Sequence, residues 1–288
     1  MRFNRLVILV VALAAMSAPL AVQAKDDPKS VALSASDQAL VDRSIARGDM
    51  LYAYDQAAWH GTDDLQAKAK AAGIWDTLAP TIGGWVVDGS AADPVLVFID
   101  KSDQPKAVYI AHFADNGTRL VDGKLLGPGD ERSVSPARMK LVAALRAARA
   151  EVSSTKLGVC TNAAFNTVVL PPETPAGPTL VYFMTPQTQN GVWPMGGHYL
   201  VQVNPDGTIG STRPFTKSCI AIGAPAKGSP AAMFITHLLD PAPTEIHVFT
   251  MRAARLPLFV ATTQNNLLWA VERAGDATRM RATALPKK

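Results

Sequence analysis

Few side chains in this chain could do covalent chemistry, and Cys160 and His198 come first. Cys160 opens Cys160-Thr161-Asn162-Ala163-Ala164-Phe165. If that were a short helical turn, its dipole would lower the thiol pKa and make the sulfur a nucleophile. His198 opens the apolar run His198-Tyr199-Leu200-Val201-Gln202-Val203 and would serve as the partner base. Together they would make a Cys/His hydrolase. The structural reading pairs Cys160 with Cys219, the only other cysteine. Outside the cytoplasm a lone pair forms a disulfide far more often than it supplies a catalytic thiol. Closing so long a loop is worth roughly 4 kcal/mol in chain-entropy models. The disulfide is the favoured reading.

Cysteine at a helix start with histidine on a following strand resembles the papain-like cell-wall peptidases. The resemblance implies Cys160 as nucleophile, His198 as base and cell-wall peptide as substrate. The Asp-Cys-Ser context of that family is absent here. A second resemblance covers the tail from Asp240-Pro241-Ala242-Pro243 through Leu256-Pro257-Leu258-Phe259 to Leu268-Trp269, which is similar to the closing elements of JAB-type domains. Their zinc signature, His-x-His with downstream Ser and Asp, does not precede it, so a catalytically silent relative is implied and no site residue carries over.

Metal chemistry would fall to the histidines. His60 lies near Asp63, and His237 lies three residues before Asp240 on what reads as one helix face. Either pair could seed a site, although a histidine near a helix end more often caps carbonyls or packs on an aromatic such as Trp59. Two segments have the composition of a ligand surface. Tyr52–His60 carries Tyr54, Asp55 and Trp59 on one helix, where aromatics and a carboxylate line a groove or else pack on a sheet. Gly191–His198 sets Trp193 in a Gly/Pro-rich loop beside His198.

Other classes lose support. The chain has no Gly-x-Ser-x-Gly elbow, phosphate loop, dinucleotide fingerprint, His-Glu-x-x-His or Cys-x-x-Cys, and no cofactor is called for. Its start, basic Met1–Arg5, apolar Leu6–Leu20 and Ala21-Val22-Gln23-Ala24, reads as an export signal cleaved after Ala24. Pro19 breaks the apolar run short of the roughly 20 residues of a membrane span. Arg2 and Arg5 leave with the signal, so 28 basic residues fall to 26 against 24 acidic, a net +2. That scattered, weak charge does not make a nucleic-acid face. The expectation is a periplasmic or secreted protein, non-catalytic, binding a protein or ligand outside the cytoplasm, with no transmembrane segment after cleavage.

The elements that must position these residues follow from periodicity. Ser34-Ala35-Ser36-Asp37 has capping-box spacing and starts a helix through about His60; Gly61 is a natural stop, and Thr62 would cap a second helix over 63–72. Gly48 marks a bend or a tight crossing. Strands at 84–87, 95–99 and 107–113 alternate, with Asn116-Gly117 and Asp122-Gly123 as hairpin signals. Ser135-Pro136 starts a central helix bearing Arg138, Arg146 and Arg149 along one edge. Further strands are expected at 166–170, 180–184, 198–203 and 213–222, a helix at 231–239, an alternating run at 245–249 that Thr244 could equally cap as a helix, and a hairpin across Gln264-Asn265-Asn266. The pattern predicts an α+β fold of antiparallel meanders with N-terminal helices, a central helix and a short C-terminal helix. Residues 25–288 form its globular region, as one domain or as two lobes joined near 124–136.

Overall fold

The structure is a computed structural model that describes residues 30–223 and 231–285. The export signal at 1–24 lies outside the described residues. Helix α1 runs unbroken over Ala35–Ala71, capped by Ser34, whose Oγ accepts from the Asp37 amide at 3.1 Å. The stop at Gly61 and the second helix at 63–72 are therefore corrected to one helix. Gly61 is there for proximity, because a Cβ on it would run into Leu96. Thr62 does not cap; its Oγ1 donates back to the Ala58 carbonyl at 2.6 Å. A short helix α2 (Trp75–Leu78) and a 3-10 turn (Ala79–Thr81) lead into the first sheet.

Strands β1 (Ile82–Gly89), β2 (Pro94–Asp100), β3 (Ala107–Ala114) and β4 (Arg119–Leu125) form an antiparallel meander in that order. Asn116-Gly117 lies in its last turn, but Asp122-Gly123 lies inside β4. The missing Cβ at Gly123 leaves room for the Tyr109 hydroxyl to reach Asp64 at 2.6 Å. Helix α3 (Pro136–Thr155) follows, with Ser135 as its cap. Strands β5 (Asn166–Leu170), β6 (Thr179–Met184), β8 (Tyr199–Val203) and β9 (Ile209–Pro214) make a second antiparallel meander. β7 (Val192–Pro194) leaves the β6–β8 connection and pairs with β10 (Ala221–Gly223) as a two-stranded ribbon. The single strand expected over 213–222 is thus divided between β9 and that ribbon.

The third sheet corrects one expectation and decides another. The segment expected as a helix at 231–239 contains strand β11 (Met233–His237), which buries Met233, Ile235 and His237 and exposes Phe234 and Thr236. That is period two, which the apolar count of the segment hides. The alternating run at 245–249 belongs to helix α4 (Glu245–Ala254), started by Thr244 with His247 returning the hydrogen bond of a capping box. α4 is the crossover that lets β11 lie parallel to β12 (Leu258–Thr262), and β13 (Leu267–Ala274) and β14 (Ala277–Ala284) continue antiparallel.

Side-chain alternation explains the layering. In β2, Leu96 and Phe98 join the core beneath α1, while Val97 and Ile99 join the core beneath α3. β6 repeats this, with Leu180, Tyr182 and Met184 toward α1 and Val181 and Phe183 toward α3. The two meanders are therefore covered on both faces, and Thr179–Met184 is buried at every position. α4 packs on the third sheet and on α1, where Gly48 admits Val248. The α3 arginines fasten the helix down. Arg138 grips Asp88 through two bonds of 2.8 and 3.0 Å, and Arg146 donates to the carbonyls of Ser102 and Asp103.

Candidate functional site

Cys160 and Cys219 are joined as a disulfide, with Cα atoms 5.4 Å apart and a sequence separation of 59. In this state Cys160 offers no thiolate. The turn it opens is not helical. His198 sits just behind the bridge, because Gly197, in the left-handed region at φ +74°, lies against Cys160 Sγ and Thr185 Oγ1 where no Cβ would fit. The His198 ring is 1% exposed. Its Nδ1 accepts from the Thr185 amide at 3.1 Å, so Nε2 carries the proton and donates to the Pro194 carbonyl at 3.1 Å. Burial lowers its pKa to about 4 against the small opposing effect of that carbonyl. A neutral ring with both nitrogens bonded positions a turn; it does not take up protons near pH 7.

The two metal candidates separate in the same way. His60 stacks on Trp59, ring centroids 4.8 Å apart, and Asp63 is exposed. His237 does meet Asp240, Nε2 to Oδ2 at 2.9 Å, but from a strand rather than a helix, and Arg213 holds the same carboxylate through bonds of 2.8 and 3.2 Å. Burial would raise Asp240; the bonds from His237 and Arg213 outweigh it and hold the carboxyl at about 2. His247 stands edge-on to His237 at 4.7 Å and is kept neutral by burial first, then by its neighbours. Among the described residues no group of three His, Cys, Asp or Glu is arranged to hold a metal ion.

The aromatic segments converge instead. A cleft of about 730 Å³ opens between α1, β1, the ends of β5 and β6, the loop at 186–190, β7 and α4. Tyr52, Asp55, Gln56, Trp59 and Thr62 line it at helical spacing, so one stripe of α1 makes one wall. Trp85 from β1, Trp193 from β7 and Phe249 from α4 add aromatic faces. Gln187, Gln189, Asn190 and Asn166 add neutral amides. Trp59 is 59% exposed, which is unusual for the largest apolar side chain, and it lines the cleft while its ring stacks on His60. Tyr54, by contrast, turns into the core, 1% exposed, with its hydroxyl donating to the Gly89 carbonyl at 2.8 Å. Helical spacing puts Tyr52 and Tyr54 on different faces, and the binding expectation belongs to Tyr52.

Comparison of the chain with protein-family models, with curated proteins and with solved structures found no match. What the site can do must come from its own side chains. The ionisable groups lining the cleft are Tyr52, Asp55 and Arg255. Asp55 is partly covered, and its carboxyl is raised to about 6 by burial, with a Gln56 hydrogen bond acting the other way. No cationic side chain among the described residues pairs with it. Arg255 is exposed and follows α4 at φ +55°. There the cleft adjoins a second hollow of about 610 Å³ that shares Tyr52 and Arg255 and is bordered by Arg119, Arg252 and Arg273. Sequence reasoning named Asp55 as the carboxylate of an aromatic groove but missed Trp85, on a segment read only as a strand, and Arg255, which follows the run at 245–249.

Proposed function

We propose that this is an exported, non-catalytic protein that binds a small organic ligand in the cleft between α1 and α4. The observation that carries the reading is the convergence of Trp59, Trp85 and Trp193, from three separate elements, on one hollow of ligand size. The chemistry of the lining favours binding over turnover. Among the described residues no Ser, Cys, His or Lys lines the cleft, so its threonines, Tyr52 and Asp55 have no histidine or lysine base in the cleft to activate a nucleophile. Its one carboxylate lacks the second that glycoside hydrolysis uses. A Cys160/His198 hydrolase would need the disulfide opened and a buried ring released from two hydrogen bonds.

Export is supported by the leader pattern and by the disulfide, which persists in oxidising compartments. Among the described residues no helix is long and apolar enough to cross a membrane. The test is a thermal-shift screen of sugars, amino acids, organic cations and organic anions against the wild type and Ala253→Trp. Ala253 is exposed on the cleft wall, so the added indole fills the hollow without disturbing the core. At least one class should raise the Tm of the wild type and leave the blocked variant unmoved. If every active compound shifts both proteins alike, or none shifts the wild type, the cleft is not a binding site.

A further inference from the structure

Resting on that reading of the cleft, we infer that its ligand is an organic cation, a quaternary ammonium or alkylated amine, seated on Asp55 and enclosed by aromatic faces. Three observations point there. First, Asp55 lies inside a cleft whose other lining groups, the exposed Arg255 aside, are aromatic, aliphatic, hydroxyl or amide, and among the described residues no lysine, arginine or histidine pairs with it. A carboxylate held in such surroundings without a partner is costly to keep, and the ligand is the partner available to it. Second, helical spacing places Tyr52 three residues before Asp55 and Trp59 four residues after it, so the carboxylate is flanked by rings on the same stripe of α1. Trp85 and Trp193 reach the hollow from other elements. Aromatic faces carry negative potential and hold cations best when water is excluded.

Third, the charge census leaves little to oppose a cation. α1 contributes Tyr52 and Asp55, α4 contributes Arg255, and the strands and the loop at 186–190 contribute no ionisable group. Arg255 is exposed where the cleft meets the arginine-bordered hollow, so solvent and salt screen it more than they screen Asp55. Neutral sugars would use the same rings and amides, but they leave the carboxylate without an opposite charge.

Choline and 3,3-dimethyl-1-butanol separate the alternatives, because they share a shape and differ in charge. Tryptophan fluorescence of the full mature protein is titrated with each at pH 7.5, and each titration is repeated with Asp55→Asn. Choline should bind the wild type at least about tenfold more tightly than the alcohol, and Asp55→Asn should lose that preference with a Tm no lower than the wild type's. Choline affinity should also fall as pH drops below 6, where Asp55 takes a proton, and that dependence should be absent in Asp55→Asn. Equal binding of the two compounds, undiminished choline binding by Asp55→Asn, or no choline binding by the wild type would each overturn the cation assignment. Those results stay distinct from failure of the cleft itself, since another compound class could still shift the wild type and not Ala253→Trp.

Discussion

Asp55→Asn should stabilise the protein above pH 6 and leave its stability unchanged near pH 4. The carboxyl has a folded-state pKa of about 6 against an ordinary 3.8, because burial disfavours its charged form. Below pH 3.8 it is protonated in both folded and unfolded chains and costs nothing. As pH rises, the unfolded carboxyl ionises first, so stability is lost between about 4 and 6 and stays lost above. At about 1.36 kcal/mol per pH unit the full penalty is about 3 kcal/mol. Solvent entering through the cleft screens part of it, and about 2 kcal/mol is the working figure. Asparagine keeps the shape and an amide for Gln56 without the charge. Urea denaturation of both proteins at pH 4, 6 and 8 reads the effect, and taking the difference cancels the buried histidines common to both. A constant difference across pH, or a wild type more stable than Asp55→Asn at pH 8, would refute an ionised, unpartnered Asp55.

Three further outcomes are expected. Replacing both cysteines by alanine should cost roughly 4 kcal/mol from loop entropy over the 59-residue separation, read by the urea midpoint; a loss under about 1 kcal/mol would mean that the native bridge is strained or the unfolded chain already compact. Gly48→Ala should destabilise more than Gly61→Ala: the new Cβ at 48 meets Val248 Cβ and stands 2.8 Å from the Glu245 carbonyl oxygen of α4, whereas at 61 it meets the end of the Leu96 side chain, which can rotate. Overpacking of about 1–3 kcal/mol outweighs alanine's gain of about 1 kcal/mol in helix propensity only where backbone must move; equal Tm losses would contradict that. Finally, the urea midpoint should fall as pH drops from 6.5 toward 4, because unfolded histidine takes up a proton that buried His198 and His247 refuse. The slope is about 1.4 kcal/mol per pH unit per group, and it should be shallower in His198→Gln.

The α+β class was legible because alternation and capping are local signals. Ser34, Ser135 and the first three strands of each meander stand where spacing puts them, whereas the fourth strand of each does not. The errors share one cause, which is that glycine, threonine and short apolar runs mean different things according to what packs on them. Gly61 reads as a stop, yet it serves a helix pressed against Leu96. Asp122-Gly123 reads as a turn, yet its missing Cβ makes room for Tyr109 within a strand. The segment containing β11 has too few residues to separate period two from helical period, and only pairing with β12 decides it.

The site was half legible for a related reason. Trp59 and Trp193 stand out in sequence as aromatics in polar company, but 134 positions separate them and no local rule says that they share a wall. The disulfide and the His198 turn bring Trp193 there. Thr185 at the end of β6 donates to the carbonyls of Gly196 and Gly197 at 3.0 and 2.9 Å, and Met195 and Gly196 donate to the Ile220 carbonyl beside Cys219. Cys160 and His198, the residues most suggestive of catalysis in sequence, therefore act as the anchor of the ribbon that carries an aromatic wall. The bridge and the two hydrogen bonds of His198 hold the scaffold, while Asp55 destabilises it at neutral pH. A charge kept at such a cost, inside a cleft built by distant segments, is a group that gains its partner on binding rather than on folding.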